Sequence, residues 1–458
     1  MQIKKNPGPM LRAARMLVVA IFAFASVAGA QAPEKEPGPR ATGKRYSWTA
    51  ANGLAYEYFV PKGYDAGEGA NLTLILHGSN LDRRWGFANH EAGTFRPDDI
   101  VVSPDGTTSN GSGGFNSLQR KGDLERMREL HDELRKQWKV NATFLYGHSQ
   151  GSFFAFYYAG AYPADVQGVV GHASGVWIGT QGGKKNHHQA IVLMHGTSDP
   201  VVPFGQSVGS LSAHYRKLGY PLARLRSLDG WNHWPSQGHA SQQLAWCEGM
   251  TTSNPARLAI CLEALASPKE NVDPVALQQV ATRALEFEGI DGRAVKVAEK
   301  ALRDVNKAAD AHVAAIAKSL GKNHKRALED ESWVGHAPLF LRHFAGTAQA
   351  DALQDEWSGT LEAHGKSANK LWAEYRKHRE SNPKKALLAG VEIVEQAFLR
   401  SSTADDGFLD RLEAWAEDAK DLKLSKSEKK AFATSVPAFR SALEKGRKSF
   451  AKVSRRFR

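Results

Sequence analysis

Hydrophobic positions change their period along the chain. Beyond a Pro/Gly/charge stretch from Ala32 to Lys44, short β-rich runs alternate with helical ones: YEYFV (56–60), LTLIL (72–76), IVVS (100–103), TFLY (143–146), VQGVVG (166–171), AIVLM (190–194) and ARLRSL (223–228). Between two of them, Leu124, Met127, Leu130, Leu134 and Trp138 recur at helical spacing and predict a helix with one apolar face. Strands alternating with helices predict a mostly parallel sheet covered on both faces. Near residue 262 the strand-like runs stop, and only 10 of the 42 glycines fall in residues 261–458. Apolar residues three or four apart among charges, as in GRAVKVAEKALRDVNKAADAHVAAIAKSL, predict a separate helical module there. Its breaks are expected at Gly321, Gly335, Gly365, Pro383 and Gly407.

Composition narrows this only slightly. Hydrophobic residues at 42% and charged ones at 24% of 458 exclude a disordered chain or a simple fibre. Two cysteines, Cys247 and Cys261, are too few for a disulfide scaffold and form no CxxC pair; a single bridge or two buried thiols are the options. Lys4, Lys5, Arg12 and Arg15 precede an apolar run from Met16 to Val27, and Ala28-Gly29-Ala30 follows, the order of a cleaved secretory signal. About a dozen apolar residues fall short of the roughly 20 that span a bilayer, so no transmembrane segment is expected after cleavage. The expected organisation is a signal peptide (1–30), a linker (31–45), a catalytic domain (46–261) and a helical module (262–458), in a secreted or periplasmic protein.

The chemistry concentrates in the first module. Gly147-His148-Ser149-Gln150-Gly151 is a GxSxG sequence where the strand NATFLY gives way to the helix SFFAFYYAGAYP. A sharp turn there lifts the Ser149 hydroxyl above the sheet edge, and glycines flank it because a side chain would collide with neighbouring backbone. A serine hydroxyl is a weak nucleophile until a base takes its proton, so an imidazole and an orienting acid are needed. Asp199 follows the AIVLM strand in HGTSDP, and His233 follows the next strand in WNHWP, giving the order Ser, Asp, His. His239 is the rival base. The backbone N–H of Gln150 and that of Ser79, in the HGSN loop after LTLIL, are the candidate oxyanion donors.

These motifs, with FVPKGYD, LILHGSN, FLYGHSQGS, HGTSDPVVPF and the HWP around His233, make residues 46–245 resemble the secreted esterase branch of the α/β-hydrolases. That branch includes polyhydroxybutyrate-depolymerase-like and feruloyl-esterase-like enzymes. The resemblance implies an α/β-hydrolase fold cleaving carboxylic esters without cofactor or metal, with Ser149 as nucleophile, Asp199 as acid and His233 as base. It does not reach residues 262–458. A surface-binding protein led by the helical module, or a serine peptidase of the same fold, are the competing readings.

Other features carry less. SNGSGGFNS (109–117) lacks the GK[ST] of a phosphate loop, His187 and His188 have no partner at ligand spacing, and no motif points to nucleic acid. Phe153, Phe154, Phe156, Tyr157 and Tyr158 read first as core, whereas Trp231 and Trp234 beside His233 are pocket candidates. From Asp421 to Arg458 there are 12 basic and 3 acidic residues, a tail that reads either as a solvated helix end or as an anchor holding the protein against an anionic polymer or envelope surface.

Overall fold

A computed structural model describes residues 34–35, 42–106, 121–176, 188–320, 331–378, 381–397, 412–413 and 423–457. The leader, most of the linker and the 109–117 stretch lie outside the described residues.

The strand-rich part forms one sheet. Its strands are β1 (Glu34–Lys35), β2 (Arg45–Thr49), β3 (Ala55–Phe59), β4 (Ala70–Leu76), β5 (Asp99–Pro104), β6 (Val140–His148), β7 (Gly168–His172), β8 (Ala190–Gly196) and β9 (Ala223–Leu228), in the order β1-β2-β3-β5-β4-β6-β7-β8-β9. Only β3 runs against its neighbours; β5, β4, β6, β7, β8 and β9 are mutually parallel. Parallel strands need crossovers, and helices supply them between β4 and β5, α1 (Arg84–Asn89), between β5 and β6, α2 (Lys121–Gln137), between β6 and β7, α3 (Gln150–Ala161), and between β8 and β9, α4 (Gly205–Ser210), extended by a π-helical turn to Arg216; α5 (Gln237–Thr251) follows β9. All seven strand runs read from the sequence are present, with β2 and the short β1 added at the edge.

Side-chain alternation divides the core into two layers. Leu145, Val169, Ile191 and Leu193 point to one face and meet Leu130 and Leu134 of α2 and Phe154, Phe156 and Tyr158 of α3. The alternate residues Phe144, Tyr146, Val170, Val192 and Met194 point to the other, where α5 lies. On that side the core does not end with α5. It runs on through α6 (Pro255–Ala266), α7 (Pro274–Glu286), α8 (Gly292–Leu320), α9 (Glu331–His343), the start of α10 (Ala348–His378) and the C-terminal end of α12 (Lys426–Val453). The expected division at 261/262 falls inside α6, where Cys261 and Leu262 are both buried in this shared core. A smaller cluster joins α10, α11 (Pro383–Ala397) and α12 through Tyr375, Leu387, Ile393, Phe439 and Leu443.

Local signals explain the helix ends. Asn254 and Asp273 cap α6 and α7 with proline next at the first helical position, and Ser425 with Glu428 forms a capping box on α12. Pro383 does start a helix, but Gly335 and Gly365 lie within α9 and α10 and break neither. Gly321 and Gly407 lie outside the described residues. Cys247 and Cys261 are free and buried, so no bridge joins them, and burial pushes both thiols far above their ordinary range. A buried charge network reinforces the same seam: Arg96 pairs with Asp99 and Glu248, and Arg257 of α6 reaches Glu248 at 2.5 Å and Asp99 at 3.1 Å. Among the described residues, no helix is long and apolar enough to cross a membrane.

Candidate active site

Parallel strands deliver their C-terminal ends to one rim, and the candidate residues collect there. Ser149 stands between β6 and α3 with φ 51° and ψ −118°, a left-handed conformation costly for a residue with a Cβ. Close packing enforces it. A Cβ on Gly147 would meet Ser152 Cα, and one on Gly151 would run into the carbonyl oxygens of Leu76 and His77. The Ser149 N–H donates to the His172 carbonyl at 2.9 Å, which fixes the turn to β7. This is the geometry the GxSxG reading requires: strand, strained serine, helix.

Asp199 and His233 are brought into contact by β8 and β9. His233 Nδ1 donates to Asp199 Oδ2 at 2.8 Å, leaving Nε2 as the ring nitrogen that can take a proton. The other carboxylate oxygen, Oδ1, accepts from the N–H groups of Val201 at 2.8 Å and Val202 at 2.9 Å. His195 Nε2 provides a further donor to Oδ2 at 3.1 Å. Burial alone would raise the Asp199 carboxyl, but its hydrogen bonds from His195 and His233, the His233 charge and the Val202 amide hold it well below the usual carboxylate range. Asp199 is therefore an anion with every lone pair directed. His195 was legible only as a letter in HGTSDP; being a strand-end residue four before the acid, it gave no separate signal.

His239 has a different setting. It lies in α5, edge-on to Trp231 with ring centroids 4.8 Å apart, and burial lowers it to about 3. Of the two candidate bases, His233 is the one that meets Asp199.

The ring of His148, just before Ser149, packs 4.9 Å from His233, 5.3 Å from His172 and 5.1 Å from Trp85, on which it stacks. Burial pushes His148 far below the usual imidazole range, with repulsion from His172 and His233 adding to it. A neutral aromatic collar therefore joins the serine turn to the histidine loop. No hydrogen bond joins the Ser149 hydroxyl to His233 among the described contacts. Trp234 is 41% exposed and packs 5.4 Å from His148, so it sits on the rim of this site, whereas Trp231 turns toward α5.

On the β4 side, the HGSN loop approaches the serine directly. A Cβ on Gly78 would lie 3.3 Å from Ser149 Cβ, and buried His77 holds the loop through Gly78 O at 2.9 Å and the Gly106 N–H at 3.1 Å. Ser79 is exposed beyond it, and Gln150 opens α3. Gln150 thus follows Ser149 directly, and Ser79 follows the glycine that approaches it. Phe154, Phe156 and Tyr158 are buried, as expected of core. His188 Nε2 bonds the Pro163 carbonyl at 2.8 Å on the surface, and His187 lies outside the described residues.

Comparison with known proteins bears on this rim. The sequence profile of the phospholipase/carboxylesterase family matches residues 123–233, from α2 to the His233 loop. That stretch is an α/β-hydrolase segment. No curated protein matches the chain. Among solved structures, the Bacillus cereus carboxylesterase is 21% identical, with 43% of this chain and 94% of that one covered and a TM-score of 0.33. Acyl-protein thioesterase 2 from Zea mays is 15% identical over 43% of this chain and 99% of its own, with a TM-score of 0.34. For a thermostable esterase, 16% identical with a TM-score of 0.33, the chain spans 62% of that protein's length. The α/β-hydrolase segment is followed here by a helical region that continues its core.

Proposed function

We propose that this protein is a serine hydrolase of carboxylic esters. The observation that carries the reading is Ser149 held at φ 51° at the head of α3, on the rim where His233 is bonded to the Asp199 carboxylate. Ser149 Oγ attacks the ester carbonyl as His233 Nε2 takes its proton, and Asp199 stabilises the imidazolium and fixes its tautomer. The developing oxyanion is held by the N–H groups of Gln150 and Ser79. The alcohol leaves with the proton from His233, and a water activated by the same nitrogen cleaves the acyl-enzyme and restores Ser149. Exposed Trp234 and the HGSN loop border the space for the acyl group.

Residues 1–30 support export to the periplasm or the medium, and the exposed lysines of α12 support retention on an anionic polymer or envelope surface. Turnover of nitrophenyl esters of graded acyl length, compared with peptide anilides, tests the substrate class. Ester cleavage lost in His233→Ala supports the reading; anilide cleavage exceeding ester cleavage favours a peptidase.

A further inference from the structure

Between the end of β9 and the helical region lies a second concavity, away from Ser149. Its volume is about 320 Å³, and its walls come from Arg226 and Leu228 of β9, His239 of α5, His343 of α9, and Arg447 and Phe450 of α12. Three features set it apart. Positive charge is in surplus: Arg226, Arg447 and Lys448 line it, against Asp229 as the acidic residue of the wall. Asp229 is already engaged by Arg447 at 2.6 Å and Arg342 at 3.5 Å, and Asp273 by Arg224 at 2.6 Å.

The second feature is an unused donor. Arg226 Nη1 lies 3.2 Å from His343 Nδ1, and a guanidinium can only donate, so Nδ1 accepts and the ring proton sits on Nε2. Among the described residues, His343, 5% exposed, has no partner for its Nε2, and His239, also 5% exposed, has none for its Nδ1. A buried donor without an acceptor, as His343 Nε2–H is, is costly, and an anionic acceptor would satisfy it. Thirdly, Leu228, Trp231, Leu339 and Phe450 add apolar wall. Inorganic anions gain nothing from such a wall, whereas a carboxylate on an apolar body uses both halves.

We propose that this cavity binds an organic carboxylate with an aromatic or aliphatic body, its carboxylate facing Arg226, His343 and Arg447 and its body against Phe450 and Trp231. The site is assembled by both parts of the chain. It also touches the active-site loop, since Trp231 precedes His233 by two residues and its carbonyl accepts from the Ser198 N–H at 3.0 Å.

The experiment is fluorine NMR of 4-fluorobenzoate with the full-length chain, in wild type and in Ser149→Ala. Saturable binding with Kd on the order of 1 mM or tighter is expected in both, because the cavity does not use the nucleophile. This separates the site from the proposed hydrolysis. Lys448 is exposed, so Lys448→Glu preserves the fold and should weaken binding by about tenfold; Arg447→Gln should act in the same direction. Neutral 4-fluorobenzamide should bind much more weakly, and phosphate should not compete at equal concentration. No saturable binding, equal binding of the amide, full competition by phosphate, or indifference to Lys448→Glu would each overturn the proposal.

Discussion

His233 Nδ1 and Asp199 Oδ2 are 2.8 Å apart, and that bond joins the loops after β8 and β9 into one unit. A carboxylate that must orient an imidazole is most damaging when replaced by a group that permits the wrong tautomer. Asp199→Asn should lower kcat by on the order of 10³ to 10⁴, and Asp199→Asn/His233→Ala should be no worse than the poorer single variant. His239→Ala should retain most activity. Initial rates on one nitrophenyl ester for the four variants decide this; a dead His239→Ala beside an active His233→Ala would move the base into α5.

Gly196 supports that unit from behind. A Cβ there would strike the carbonyl oxygens of Trp231 and Asn232, so Gly196→Ala must push the His233 loop outward. With catalytic groups misplaced by an ångström or so, kcat should fall by roughly 10² while the fold persists. Circular dichroism melts alongside rates would check it; unchanged kcat would mean the loop is held elsewhere.

How much of this was legible in the sequence depends on which force wrote the signal. Strand runs such as AIVLM and ARLRSL follow from burial on both faces of a parallel sheet, and GHSQG follows from a turn that tolerates no side chain at Gly147 or Gly151. Charge and glycine usage shift at 261/262 while the apolar contacts continue: Leu258, Cys261, Leu262 and Leu265 of α6 share one buried cluster with residues of α5 and α8. Gly335 and Gly365 were read as breaks, yet glycine inside a helix costs only about 1 kcal/mol, which packing can outweigh. The aromatic collar around His148 could not be read, since its members come from separate parts of the chain: the ends of β6 and β7, helix α1 and the His233 loop.

The shared core has a direct consequence. A chain ending at Ser267 would expose Leu258, Leu262 and Leu265 by removing Leu277, Val280 and Val305 from over them. It should be insoluble or melt far below the full-length protein, since burying each such side chain contributes about 1.5 to 3 kcal/mol. Equal melting temperatures would show that the helical region is energetically separate.

Acid should loosen that region. His312 Nδ1 and His336 Nε2 lie 2.9 Å apart, with His312 stacked on Phe450; burial lowers His312 to about 3, helped by His336, and His336 to about 4. Unfolded imidazoles titrate near 6.5, so below that pH the unfolded chain takes up protons that the folded one refuses. The stabilisation is therefore complete above about pH 6.5 and is lost as pH falls toward 4, by about 2 kcal/mol per histidine at pH 5. Urea melts from pH 7.5 to 5 should show this slope, and replacing both histidines with Phe and Leu should reduce it by their share, leaving the part due to other buried histidines such as His90, His131 and His239.

The central claim is that Ser149 is the nucleophile, and the most direct test is mass spectrometry of the protein after reaction with a fluorophosphonate. One adduct is expected, on Ser149, and Ser149→Ala should both abolish it and reduce kcat by on the order of 10⁴ or more. An adduct on another residue, or ester cleavage by Ser149→Ala within about tenfold of wild type, would contradict the account.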